Sequence, residues 1–260
     1  MRWTDLSPEP GIVAAIQYAN SEIAATDESK QDDKRHWSEC FANQCAVAFA
    51  DEFRKSSELR GKIVKPVDLK SGTEPLTPLG SAASKRIDVT IADRILGLEI
   101  GVSLKGFNFA DRASGYFDKN LTGRLYELAD EVRLVHEHLP HAFMAGVLFL
   151  PLGSTEDKKS NSSFSNAVVK LRARTGRLDA ALIAHASRCD AAFVGLYTTG
   201  REAGGYPQGI VRFLDVASDP PQRGRPKVDS TLSFSEVVQT IVERATLQDT
   251  ASWSEPESDS

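Results

Sequence analysis

The run AFMAGVLFLPL, residues 142–152, carries no charged side chain. A helix that spans a bilayer needs ~20 apolar residues, so this run is too short to cross a membrane and has to be buried in protein. A short unbroken apolar stretch of this kind suits a strand covered on both faces, as in a sheet held between layers of helices. The remaining sequence must therefore supply neighbouring strands and helices for two layers.

The periodicities supply both. From Trp37 to about Leu59, the residues Phe41, Cys45, Ala48, Phe49 and Phe53 recur at spacings of three and four, and Gly61 ends the pattern. Residues 65–83 read as a loop through Pro66, Gly72, Pro75, Pro78 and Gly80. The period then becomes two. Ile87, Val89 and Ile91 alternate with Asp88 and Thr90, and Leu98, Ile100, Val102 and Leu104 alternate with Glu99, Gly101, Ser103 and Lys105. This predicts an antiparallel hairpin. A helix capped by Asn120 or Thr122 follows, with the stripe Leu121, Leu125, Leu128, Val132 and Val135, and Pro140 stops it. Residues 164–187 read as helix with a break at Gly176, 191–199 and 210–216 as strands, and 234–247 as a closing helix. The polar TDESKQDDKRH reads as a loop. The order predicts a single α/β domain, a central mixed sheet flanked by helices, over residues 37–247. An N-terminal arm or helix with a polar loop (1–36) precedes it, and an acidic disordered tail (248–260) follows.

Composition narrows the class. Hydrophobic residues at 41% and charged residues at 26% belong to a folded globular chain, which excludes wholly disordered and collagen-like readings. Cys40, Cys45 and Cys189 are too few for a disulfide framework. MRWTDLSPEPGIV lacks a secretory pattern, so the expected location is the cytoplasm. The net charge is −5, but the last twelve residues hold four acids and no base, and without them it is −1. Such a neutral body can hold a local basic groove, though it would not coat DNA non-specifically.

The segment RIDVTIADRILGLEIGVSLKGFNF (86–109) carries the chemistry. Ser103 and Lys105 lie two apart on one strand, so they share a sheet face with Glu99 and Gly101, and Asp88 lies on the partner strand. An acid and a lysine on adjacent strands are what metal-assisted phosphodiester hydrolysis uses. The carboxylate holds Mg2+, the metal polarises the phosphate and acidifies its bound water, and the lysine positions the nucleophile. The register stays open. A tight turn at 92–94 puts Glu99 opposite Asp88, and a wider one reaching Gly97 puts Ser103 there.

This arrangement, from about Trp37 to Leu152, resembles the PD-(D/E)XK nuclease superfamily. The resemblance implies a restriction-endonuclease-like αβββαβ core, with Asp88 as the first metal-binding acid and Lys105 as the lysine. Ser103 stands where the family pattern has an acid, so the chain is similar to the Ser-x-Lys variant of some type II restriction endonucleases. There an acid from the following helix replaces the missing carboxylate. The matching position is Glu127, with Glu131 one turn later on the same helix face. Glu99 is the reserve ligand, and Glu52 on the first long helix is a further metal-ligand candidate. The implied activity is Mg2+-dependent hydrolysis of double-stranded DNA, with Mn2+ able to substitute, in restriction or phage defence. The implied partners are a second copy of the chain or defence-system subunits.

Two other expectations stand beside it. The Ser103 substitution also fits a catalytically inactive nuclease fold that serves as a DNA-binding or assembly module. An unrelated α/β protein whose polar strand face binds a small ligand is the third. Arg112, Lys119 and Arg124 follow the motif and are expected on phosphates, and Arg223 and Arg225 in PPQRGRPK are expected at a groove. His136, His138 and His141 in HEHLPH have the wrong spacing for zinc and read as a helix-end cluster. Cys40 and Cys45 read as packing residues, and the glycine-rich REAGGYPQG as a strand connection.

Overall fold

The computed structural model describes residues 1–71, 86–176, 185–202 and 204–252, with side chains as far as 248. Six strands form one mixed sheet in sequence order: β1 (Ile63–Lys65), β2 (Val89–Asp93), β3 (Gly97–Gly106), β4 (Phe143–Pro151), β5 (Ala191–Tyr197) and β6 (Val211–Asp215). The first three form an antiparallel meander, β3, β4 and β5 run parallel, and β6 returns antiparallel. The helices are α1 (Pro10–Glu22), α2 (Gln31–Arg54), α3 (Leu121–His138), α4 (Ser163–Arg172) and α5 (Phe234–Ser252). The α3 and α4 helices are the crossovers that parallel neighbours require.

β4 shows why the apolar run has no polar face. Phe143, Ala145, Val147 and Phe149 enter a core built with α1, α2 and α5, while Met144, Leu148 and Leu150 enter a second core built with α3 and α4. The first core is aromatic at its centre, where Phe41, Phe49, Phe149, Tyr197, Phe213 and Phe234 meet ring to ring. The same division on β3 puts Ile100, Val102 and Leu104 against the α2 layer. Ser103 and Lys105 are left facing α3.

Several boundaries differ from the expectations. The polar QDDKRH is the first turns of α2 and not a loop; the apolar stripe starts only at Trp37, so these turns carry no periodic signal. The periodicities do not mark β1, three residues being too short for a signal, although the αβββαβ core that the resemblance implies has a strand there. α4 ends at Arg172, well before Gly176, whose φ of +96° closes a turn. The rest of the helix expected to 187 lies partly outside the described residues, at 177–184. So do the loop expected at 72–83 and the acidic tail from 253. The closing helix runs on to Ser252, past the expected start of that tail.

Candidate functional site

The hairpin register decides which polar groups meet. Asp93 pairs with Gly97 across the turn, where the positive φ of +80° suits glycine, and Val89 pairs with Val102. One step beyond, Asp88 lies beside Ser103, and the Leu104 amide donates to Asp88 Oδ2 at 2.6 Å. Between these two ends the pairing slips. Ile91 opposes Ile100 and Ala92 opposes Leu98, leaving Glu99 as the extra residue of a β-bulge. The turn reaches Gly97, as in the wider of the two expected registers, and the bulge adds the one-residue offset that brings Asp88 to Ser103 rather than Val102.

Across the layer, α3 delivers Glu131. Ser103 Oγ donates to Glu131 Oε2 at 2.6 Å, and Lys105 Nζ donates to Oε1 and Oε2 at 2.8 and 2.9 Å. Missing side chains allow this approach. Gly146 pairs with Ser103 on β4, and a β-carbon there would stand 3.1 Å from both Leu128 Cδ2 and Cys189 Sγ. Farther along α3, buried His136 contacts Asp190 Oδ2 at 3.2 Å, and the same oxygen accepts the Met144 amide at 2.7 Å. This pins the end of α3 to β4.

The cluster sits in poorly hydrated surroundings. The Lys105 and Glu131 side chains are 14% and 11% exposed. Desolvation pushes the Asp88 carboxyl up to about 6, against the pull of Lys105 and the Leu104 amide, and the Glu131 charge adds to the rise. A buried ion pair is often no more stabilising than apolar residues of the same volume. Placed between β3 and α3, where leucine and valine pack everywhere else, this one points to a use beyond stability.

Among the described residues no three His, Cys, Asp or Glu side chains group as a metal centre. Mg2+ asks for less, since one or two carboxylates suffice when water and phosphate oxygens complete the shell. Asp88 and Glu131 are two hard oxygen donors, and a cation would offset the desolvation that raises Asp88. The donor set fits a magnesium ion.

Of the other acids expected at the site, none joins this cluster. Glu127 is half exposed and pairs with Arg124 at 2.8 Å, because the α3 face that meets the sheet passes through Leu128, Glu131 and Val135. Glu131, one turn later, takes the place expected of it. Glu99 pairs with Lys62 at 2.6 Å at the far end of the hairpin, beside Val242 of α5, because the bulge turns it away from the face of Lys105. Glu52 pairs with Lys55 at 2.6 Å and belongs to α2, which covers the opposite face of the sheet.

A groove starts at Lys105. Two adjoining concavities, about 750 and 410 Å3, share Arg35, Gly106, Lys119 and Arg124 in their walls. Seven cationic side chains line them against three acidic ones. Arg112, Lys119 and Arg124 are all there, each paired with an acid: Glu28, Asp111 and Glu127. Such exposed pairs are worth ~0–1 kcal/mol and exchange readily for another anion. Arg223 and Arg225 do not line this groove. Arg225 lies over the Tyr206 ring and bonds its hydroxyl, which fixes it elsewhere, and Arg223 is exposed.

Lys30, Lys34 and Arg35, on or next to the start of α2, are groove residues that the sequence reading missed. For Arg35 the signal was the spacing 35, 38, 42, which shares one helix face once α2 is taken to begin at Gln31. The histidines separate: His136 is buried, His138 bonds the Leu134 carbonyl, and His141 lines the concavity of Glu99. Comparison with protein-family models, curated proteins and solved structures found no match.

Proposed function

We propose that the chain is a metal-dependent nuclease that hydrolyses phosphodiester bonds of double-stranded DNA, with a site resembling the Ser-x-Lys variant of the PD-(D/E)XK enzymes. The observation that carries the reading is the meeting of Asp88, Ser103, Lys105 and Glu131, with Lys105 also lining the basic groove. The order α2, β1, β2, β3, α3, β4 supports it, since it is the αβββαβ order that the resemblance implies.

Asp88 and Glu131 would hold Mg2+ or Mn2+, which when bound supplies Lewis-acid polarisation of the phosphate and a more acidic water. Leu104 N–H fixes the Asp88 carboxylate, and Ser103 Oγ fixes Glu131. Ser103 thus replaces a carboxylate by steering one from α3. Lys105 has three N–H donors and spends two on Glu131. The third serves the attacking water or a phosphate oxygen, since Lys105 lines the groove. Arg35, Lys119 and Arg124 hold the DNA backbone. Cutting both strands calls for two copies of the chain, and restriction or phage defence in the cytoplasm is the setting that suits such an enzyme.

The test incubates plasmid DNA with the protein in Mg2+, in Mn2+ and in excess EDTA. Cleavage with either ion and none in EDTA is expected, and Lys105→Ala should abolish cleavage while DNA binding persists. Cleavage undiminished in EDTA contradicts the mechanism. A second reading, the catalytically inactive DNA-binding or assembly module, draws on the closed hydrogen bonding of Ser103 and Lys105 to Glu131, which also ties α3 to the sheet. DNA binding without cleavage under either ion would select it.

A further inference from the structure

Beyond Gly106 the groove opens into a recess of about 350 Å3 at the carboxyl ends of β3, β4 and β5, with Asn108, Phe109 and Phe117 in both walls. Trp37 stands edge-on to Phe109 at 5.2 Å between ring centroids. Asn108 is 8% exposed. Its Oδ1 accepts from the Tyr197 hydroxyl at 2.9 Å, but its Nδ2 has no acceptor among the protein's atoms. Buried donors are rarely left unmatched, and those that are call for a reason. This one leans over Gly106, 2.9 Å from where a β-carbon would stand, and so sits at the passage from the groove to the recess. The recess also holds Asn20 and Gln208, so aromatic faces and amide groups share its walls.

Flat apolar faces combined with amide donors and acceptors are how proteins take up an unstacked nucleobase. The position suits a strand already on the groove. Asn108 is three residues beyond Lys105, about 10 Å at strand spacing, close enough for the same strand to reach both. We propose that this recess takes one unpaired nucleobase of the bound strand, flanked by Phe109 and Phe117, with Asn108 Nδ2 donating to a ring nitrogen or carbonyl on its edge. The inference rests on the nucleic-acid reading of the groove and adds to it a preference for distorted or partly single-stranded DNA.

The experiment measures binding in EDTA, so that cleavage plays no part. The probes are a paired duplex, the same duplex with one bulged 2-aminopurine, and 2-aminopurine nucleoside monophosphate. The bulged duplex should bind about tenfold tighter than the paired one, the scale of one base stacked on an aromatic face. Its fluorescence should be quenched on binding. Asn108→Asp, which keeps an oxygen for Tyr197 and removes the donor, should erase the preference, so that this variant binds the bulged and paired duplexes equally. Gln208→Ala, at the rim, should weaken the preference should the Asn108 variant prove unstable. Equal binding of both duplexes overturns the recess proposal and spares the groove, whereas failure of both to bind overturns the nucleic-acid reading as well. Binding of the free nucleotide as tightly as the bulged duplex would mean a mononucleotide pocket and also overturns the proposal.

Discussion

Asp88 holds the most informative charge in the molecule. Its carboxyl, raised from 3.8 to about 6, keeps a proton in the folded state that the unfolded chain gives up. Stability from this group is therefore fully present below about pH 4 and is lost as pH rises through about 6, on the order of 3 kcal/mol in all. Asp88→Asn removes that loss, so in EDTA it should raise the melting temperature at pH 8 relative to wild type, with little difference at pH 4.5. The same site should take up Mg2+ less well as pH falls through 6, because the proton competes. Added Mg2+ should raise the melting temperature of wild type at pH 7.5 and leave that of Asp88→Asn unmoved. Thermal unfolding across the four conditions checks both expectations, and a variant that shifts like wild type with Mg2+ would remove Asp88 from the metal site.

The β3–α3 interface shows what sequence patterning can and cannot reach. Alternation alone put Ser103 and Lys105 on one face, and the continuous run on β4 required helices on both sides; both features are local. The bulge at Glu99 is not, since an extra residue leaves no periodic mark and yet its one-residue shift decides whether Asp88 lies beside Val102 or Ser103. Choosing between Glu127 and Glu131 was equally out of reach. Glu131 lies nearer than Glu127 to the stripe through Leu128 and Val135, a difference that the closeness of α3 to the sheet turns into burial for one and exposure for the other. Gly146 sets that closeness, so Gly146→Ala should press on Leu128 and Cys189 and lift α3 from Ser103. Overpacking of this kind costs about 1–3 kcal/mol, measurable by urea unfolding, and should slow cleavage further than the stability loss explains. A Gly146→Ala protein with full activity and stability would mean that α3 needs no such approach.

At the scale of the whole molecule, a chain of net charge −5 concentrates cations along one groove that begins at its buried acid–lysine cluster. If that groove tracks a DNA backbone, each phosphate contact removed should lower the slope of log affinity against log salt by about 0.9. Arg35→Glu and Lys119→Glu should each flatten it, whereas Arg223→Glu, outside the groove, should not; titrations at three salt concentrations would show this. The fold and the groove serve one claim, that Glu131 supplies the carboxylate missing at Ser103. The direct measurement is the DNA cleavage rate of Glu131→Gln beside Glu127→Gln in saturating Mg2+, with circular dichroism confirming that both fold. On this claim Glu131→Gln loses cleavage by at least about a hundredfold, near 2.7 kcal/mol of barrier, while Glu127→Gln cuts close to the wild-type rate. Cleavage crippled by Glu127→Gln and spared by Glu131→Gln would contradict it.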